Sequence, residues 1–463
     1  MSQNRIEPLS LGQRLLSGGI YAFLAKVVTL PLGLLIMALL ARLLSPEEMA
    51  AYFLTLNFAI FAVIFADMGL SQVVVRLVAS ANGAGEPARA RMAVKRVFGL
   101  AAISAAAQAT LILIFGADVA EGVFSSRIMA VAMPVTAFWV VILLFQNLLA
   151  ETCRGYQEIK LAMIVGGHQG PGGAGRGLVA GAVLTLMLVV AWGVDGHLRL
   201  TGVVVLSLAA GLVGAAVVVM PVIAIYRRAP PEGKLTSSEV LSVAWPILLT
   251  NLSVFASYRA AILFLGAFRG SEEVALYGAA SQVASLAAMP LLIMYAVTPP
   301  IIAELNAKGD KAYVERVLRL TSTVAVIPSV MLALAYLMFG SQILAFVYPD
   351  FYGKAGIILA ILGVAHAFNT ATGLSVPALL MLGHEKFVAL LTFILGGSAL
   401  VLYALVVPEY GYVATAVVWA SLMLGRSLVA TLYLKSKCDI CAYPSWRALS
   451  EVLRARPFKL PTW

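Results

Sequence analysis

Apolar residues run almost unbroken from Ser17 to Leu44, a short acidic turn follows, and a second apolar run continues to about Arg76. About 20 apolar residues at 1.5 Å rise cover the roughly 30 Å hydrocarbon core of a bilayer, so each run predicts one spanning helix. The turn reads Leu44-Ser45-Pro46-Glu47-Glu48-Met49-Ala50-Ala51-Tyr52. Pro46 suits the first position of a helix, and the two glutamates sit at the positive end of the helix that follows. Further spans are predicted at about Val97–Ala117, Ile128–Ala150, Leu178–Val194, Leu200–Tyr226, Leu241–Phe268, Ala275–Ile302, Val317–Val347, Gly356–Leu382, Phe387–Val407 and Tyr412–Leu434. The turn itself recurs: Gly270-Ser271-Glu272-Glu273-Val274-Ala275-Leu276-Tyr277 lies against Ser45 to Tyr52 under one constant shift in numbering. About twelve spans in two related halves result. Six is even, so both halves enter the membrane from the same side and are related by a pseudo-two-fold axis along its normal.

Composition agrees with this pattern. The chain is 61% hydrophobic and 12% charged, against about 45–50% and about 25% in soluble domains. Membrane barrels alternate apolar and polar residues, whereas these runs are continuous, so the expected class is an all-α polytopic membrane protein. The run after Ser17 is of spanning length and no small-residue cleavage site precedes the acidic turn, so no cleaved leader is expected. The formal charge of +10 is not a nucleic-acid signature, because the cations gather in loops on one side of the spans. With Met1 placed in the cytoplasm, roughly 23 Lys and Arg fall in inner loops and tails and roughly 5 (Arg42, Arg127, Arg199, Arg269, Lys354) in outer ones. The expectation is a cytoplasmic (inner) membrane protein with both termini inside. Its parts would be an N-terminal bundle over 1–226, a linker over 227–239 marked by Pro-Pro and Gly-Lys, a C-terminal bundle over 240–435 and a basic tail over 436–463.

Several local patterns carry less than they suggest. The glycine-rich stretch from Gly166 to Gly177 has no Gly-Lys-Ser/Thr ending and follows no strand, so it is not a phosphate-cradling loop. Cys438 and Cys441 have the spacing of half a zinc site, but no second pair follows, and no metal or cofactor is expected. Cys153 joins them on the cytoplasmic side, where disulfides are not expected. The lead-in from Pro8 to Gly19 and the tail from Tyr443 to Trp463 mix apolar and basic residues as segments lying on an anionic leaflet do.

Ionisable residues at membrane depth say more, since burying one costs several kcal/mol unless it is paired or hydrated. They are Lys26, Asp67, Arg76, Arg259, Arg426 and, less sharply, His366. Arg76 and Arg426 lie near helix ends, where a long side chain can snorkel to the interface, so anchoring and a functional role are equally open for them. Lys26 and Asp67 fall at similar depth on antiparallel helices joined by a short turn, an arrangement that allows them to pair. Asn147, Asn251 and Asn369 are polar candidates for a cleft or for bonds between helices.

The chain resembles the polysaccharide transporter branch, including O-antigen flippases, of the multidrug, oligosaccharidyl-lipid and polysaccharide exporter superfamily. The residues that carry the resemblance are Ala41-Arg42-Leu43-Leu44-Ser45-Pro46-Glu47-Glu48 with Tyr52, then Asp67-Met68-Gly69-Leu70 with Arg76. Arg154-Gly155-Tyr156, Tyr348-Pro349-Asp350-Phe351 and Leu382-Gly383-His384-Glu385-Lys386 continue it. The glycine-rich stretch departs from it. What the resemblance implies is two six-helix bundles forming a V and alternating access. The cargo it implies is a lipid-linked oligosaccharide moved from the inner to the outer leaflet for cell-surface polysaccharide (O-antigen, exopolysaccharide) synthesis. On that reading Lys26, Arg259 and Arg76 bind the diphosphate, and Asp67 is an ion-coupling site or the structural partner of Lys26. Asn251, His366, Asn369 and Asn147 line the cleft. Lys26 and Arg259 become successive stations, about 12 Å apart along the normal. The partners would be the lipid-linked substrate, membrane lipids, a proton or sodium ion, and a polysaccharide polymerase or glycosyltransferases. A multidrug extruder of the same superfamily is the alternative, and it would favour acidic residues in the cleft. An enzyme acting on the glycan would need a sizeable outer loop or a carboxylate pair, and the outer loops are short, so no catalysis is expected.

Overall fold

The computed structural model describes residues 28–29, 31–166, 177–194, 196–230 and 235–445. Lys26, the lead-in, most of the glycine-rich stretch, part of the linker and the tail beyond Ser445 lie outside the described residues, as therefore does the expected Lys26–Asp67 pair. Among the described residues the chain is helical and has no β-strand. The first half comprises α1 (Pro31–Leu43), α2 (Pro46–Asp67), α3 (Leu70–Gly83), α4 (Pro87–Gly122), α5 (Arg127–Gly155), α6 (Ile159–Val165), α7 (Leu178–Val194) and α8 (Leu200–Arg228). The second comprises α9 (Ser237–Tyr258), α10 (Ala260–Phe268), α11 (Ser271–Ala284), α12 (Met289–Ala307), α13 (Lys311–Val347), α14 (Gly356–Thr372), α15 (Ser375–Met381) and α16 (Glu385–Cys438).

Among the described residues nine helical stretches are long and apolar enough to cross a membrane and α1 and α7 are shorter apolar helices; they fall on the predicted apolar runs, several of which are built from two helices. α2 with α3, α9 with α10, α11 with α12, and α14 with α15 each make one broken span, while α16 holds two spans joined at Gly411 (φ 64°, ψ −152°). Apolar side chains such as Ile114, Met220, Met338 and Leu405 stand exposed on the outside, as a lipid-facing belt requires. α3 reaches Gly83 and α4 opens at Pro87, so the interval between the predicted spans ending near Arg76 and resuming at Val97 shrinks to residues 84–86. Pro87 begins the helix at a position where its missing N–H is not needed. A helix keeps its own hydrogen bonds on leaving the bilayer, so charged side chains do not end it. α6 likewise takes part of the interval between the predicted spans Ile128–Ala150 and Leu178–Val194.

The repeated acidic turn shows how alike sequences acquire different tasks. Ser45 and Glu48 form a reciprocal cap on α2: the Ser45 hydroxyl accepts from the Glu48 amide at 3.2 Å and the Glu48 carboxylate accepts from the Ser45 amide at 3.1 Å. Its equivalent, Glu273, instead accepts from Arg269 at 2.9 Å and from the Tyr412 amide at 2.8 Å, where α16 restarts after Gly411. Tyr52 and Tyr277 are both buried beneath these turns.

The halves meet most closely near this acidic-turn face, where α2 packs against α10 and α11. Gly278 and Gly266 make the approach possible. A Cβ at Gly278 would stand 2.3 Å from the Phe53 ring and one at Gly266 2.2 Å from the Leu54 side chain. The Arg42 guanidinium adds a bond across the halves to the Val347 carbonyl at 2.9 Å. Toward the opposite, basic face, α3 packs on α9, with Gly69 (φ +83°) lying where a Cβ would meet the Ala244 carbonyl at 2.7 Å. α12 packs against α13 and α15 of its own half.

Breaking a helix inside a bilayer frees carbonyls that no water can satisfy. Carbonyls at the breaks here gain hydroxyl donors from packed neighbours. Ser104 donates to the Ala66 carbonyl at the α2/α3 break. At the turn between α11 and α12, Tyr336 donates to Val283 at 2.9 Å and Ser329 to Ala287 at 2.6 Å. Tyr295 donates to Gly373 at 3.0 Å, where α14 gives way to α15.

The Phe53–Gly278 contact yields a direct test. Gly278→Val overfills the joint and is expected to cost about 1–3 kcal/mol, seen as a lower unfolding midpoint in detergent. Adding Phe53→Ala should recover part of that loss. Equal midpoints for wild type and Gly278→Val would show that the halves do not close here.

Candidate functional site

The breaks are where the polar residues collect. At the end of α2, Met68 (φ 49°) and Gly69 take left-handed backbone, and the chain turns around Asp67. Asp67, only 6% exposed, accepts from the Ser71 hydroxyl at 2.5 Å and the Ser71 amide at 3.1 Å. Its carboxylate therefore meets the amide-rich start of α3, where negative charge is favoured. In the second half, Arg259 (φ −128°, ψ −21°) is the non-helical residue between α9 and α10, and its amide still donates to Phe255 at 2.8 Å. The helix face Asn251, Val254, Phe255 and Tyr258, at spacings of three and four, runs down to this break.

One cavity between the halves is lined by Asp67, Ser71, Gln72, Asn147, Glu151, Asn251, Tyr258 and Arg259, among others. Gln72 reaches across to Asn251 at 3.5 Å. Glu151 is ion-paired with Arg154 one turn along α5, so its charge is engaged locally. A second, smaller cavity is bordered by Asn57, Tyr258, Arg259, Tyr277, His366 and Trp419. A third, of about 310 Å³, is lined by Tyr258, Tyr295, His366, Asn369, Trp419 and Arg426 with apolar neighbours. Tyr258 borders all three, Arg259 the first two, and His366 and Trp419 the last two. The cavities thus form a series that passes from the first half into the second around the α9/α10 break.

The polar residues singled out by sequence fall as follows. Asp67, Asn147, Asn251 and Arg259 share the first cavity, and Arg259 and His366 meet at the second. Asn369 lines the third, where its carbonyl oxygen accepts from Ser427 at 2.7 Å. Arg76 is exposed on α3 and borders none of these three cavities. Arg426, for which sequence leaves anchoring and function both open, points inward, donating to the Tyr258 hydroxyl and lying 5.6 Å from its ring centre. Trp419, Met423 and Arg426 share one face of α16 at spacings of four and three, which is the signal that assigns it inward. Sequence alone does not single out Gln72, Glu151, Tyr258, Tyr295 or Trp419. Glu151 follows Asn147 by four residues, so the polar face of α5 is legible once Asn147 is taken as its marker.

Chemically, the site offers hydrogen-bond donors and two guanidinium groups at membrane depth, on broken helices of the kind that bind cargo in transporters. A profile described as "Polysaccharide biosynthesis protein" matches residues 15–306, and one described as "MatE" matches residues 246–405. No curated protein matches the sequence. Among solved structures, the chain is similar to an inward-facing multidrug resistance MATE family transporter of the MOP superfamily, at 15% identity over 92% of this chain and 96% of that one, with a TM-score of 0.70. A mutant MATE transporter from Vibrio cholerae is similar at 16% identity over 96% of this chain and 98% of that one, with a TM-score of 0.64. A MOP superfamily transporter from Pyrococcus furiosus, described by the reverse polarity of its binding pocket, is similar at 16% identity over 92% and 96%, with a TM-score of 0.61. With the first profile spanning more than half of its length, the chain belongs to the polysaccharide biosynthesis protein family, and it shares the fold of these transporters.

Proposed function

We propose that the protein is a secondary transporter that flips a polyprenyl-diphosphate-linked oligosaccharide from the inner to the outer leaflet by alternating access. The observation that carries this reading is Arg259, a guanidinium standing at the break of α9 and α10 where two cavities join. A guanidinium holds phosphate oxygens through paired hydrogen bonds, and in a partly dehydrated site such bonds are strong. The family match supports a glycan cargo. The close joint at Gly278 supports a state shut at the acidic-turn face, from which cargo is taken at the basic face. Lys26 and Arg76 serve as entry-side cations, and Asp67 is the coupling site for a proton or a sodium ion. A polysaccharide polymerase or glycosyltransferases would work beside it.

Extrusion of organic cations is the second reading, favoured by one observation: Asp67 and Glu151 both line the first cavity. Glu151 is ion-paired with Arg154 and Asp67 is hydrogen-bonded to Ser71, which weighs against either carboxylate serving a cationic cargo. In cells that depend on the protein for surface polysaccharide, Arg259→Ala at normal abundance is expected to reduce glycan export at least about tenfold, as losing charge-assisted bonds implies. Arg259→Lys should keep part of it. Full export by Arg259→Ala would remove Arg259 from the cargo path, and sensitisation to organic cations without loss of glycan would favour the second reading.

Orientation follows the basic face: Arg89, Arg91, Lys95, Arg96, Arg227, Arg228, Lys308 and Lys435 gather at one end of the spans. We assign that end to the cytoplasm of the inner membrane, with both termini there. An impermeant thiol reagent added to intact cells should label Lys354→Cys and spare Lys308→Cys. The reverse pattern would invert the assignment.

A further inference from the structure

The third cavity differs in chemistry from the first. Among the described residues that line it none is acidic, and its one charged group is the Arg426 guanidinium. Four aromatic rings line the cavity with that cation, and Tyr258 lies against it. Tyr258 lies 6.5 Å from Trp419 edge-on, Trp419 lies 5.0 Å from the His366 ring, and Tyr295 is fixed by its bond to the Gly373 carbonyl. His366 is 8% exposed, and its Nδ1 is buried without a hydrogen-bond partner. Asn369 uses its carbonyl for Ser427, which leaves its amide as a donor. The volume of about 310 Å³ lies at the lower edge of small-molecule sites.

Flat rings with one apolar face and a polar rim suit a pyranose, whose two faces carry C–H groups and whose edge carries hydroxyls. Arg426 spends one donor on the neutral Tyr258 oxygen, a weaker acceptor than a carboxylate, and the guanidinium has four more. A neutral sugar would leave that charge without a counter-charge, whereas an acidic one supplies it. Tyr258 separates this cavity from the one holding Arg259, so a sugar here would sit next to a diphosphate held there.

We propose that the third cavity is a subsite for an acidic sugar of the carried glycan, with the ring against Trp419 and Tyr258 and its carboxylate on Arg426. This rests on the flippase reading and adds to it a preference for one class of glycan. Arg426 could instead hold diphosphate, and the test separates the two anions.

Full-length protein in lipid nanodiscs would be titrated with three probes: undecaprenyl diphosphate, its glucose conjugate and its glucuronate conjugate, with bound lipid read by native mass spectrometry. Wild type is expected to bind the glucuronate conjugate most tightly. Arg426→Ala should weaken that conjugate about 10- to 100-fold, to the level of the glucose conjugate, and leave undecaprenyl diphosphate within about twofold. Trp419→Ala should weaken both sugar conjugates and spare the sugar-free lipid. Should Arg426→Ala fail to fold, Arg426→Lys serves instead, with a smaller loss confined to the glucuronate conjugate. Equal weakening of all three probes by either Arg426 variant would assign that residue to diphosphate or to the fold and overturn the sugar site. Equal wild-type affinity for all three would overturn it too, while leaving the flippase reading intact. Failure of wild type to bind any of them would remove both.

Discussion

Everything distinctive in this structure depends on how a bilayer protein accommodates an interrupted helix. A break at membrane depth exposes backbone groups that cost several kcal/mol each if they find no partner. Here carbonyls at the breaks gain side-chain hydroxyl donors from packed neighbours: Ser104 for Ala66, Tyr336 for Val283, Ser329 for Ala287 and Tyr295 for Gly373. With that cost met, four spans can bend, and space opens beside the bends. The cavities sit at those places, and the charged residues that would be expensive anywhere else in the membrane line them.

The two halves use the device differently. In the first, Asp67 binds the amide end of α3 through Ser71, so its charge also helps to shape the break. In the second, Arg259 is itself the non-helical residue, and Arg426 reaches the adjacent Tyr258 from α16. The path between the halves therefore runs from a carboxylate that steadies its own helix to two guanidinium groups that border open space. Closure near the acidic-turn face, with Phe53 and Leu54 seated over glycines, leaves little room there for cargo to pass without movement of one half against the other.

Hydropathy makes the spans legible, because a continuous apolar run of spanning length matches the thickness of a bilayer and little else. The acidic turn and its repeat are legible as helix starts, with Pro46 at the first position of α2 and Glu47 and Glu48 in its first turn. The breaks are not legible from hydropathy: Arg259 sits in an apolar run with no proline or glycine beside it, and tertiary packing sets its backbone. Gly69 and Gly373 do mark breaks, although a glycine in a membrane helix marks close packing as often, as Gly278 and Gly266 do. For Arg426, depth counted along the chain leaves anchoring and function both open, and it reads as an inward residue only when its helix face is considered. The aromatic residues of the third cavity give no signal of their own, since a tryptophan or tyrosine in an apolar helix is ordinary.

The most direct test of flipping is reconstitution. Purified protein in liposomes carrying a fluorescent undecaprenyl-diphosphate glycan, with an impermeant quencher or glycan-modifying enzyme outside, reports how much cargo reaches the outer leaflet. The expected result is protein-dependent movement of the glycan-lipid with no other component beyond an ion gradient. Liposomes in which the glycan-lipid stays in place while an organic cation is transported would contradict the flippase reading.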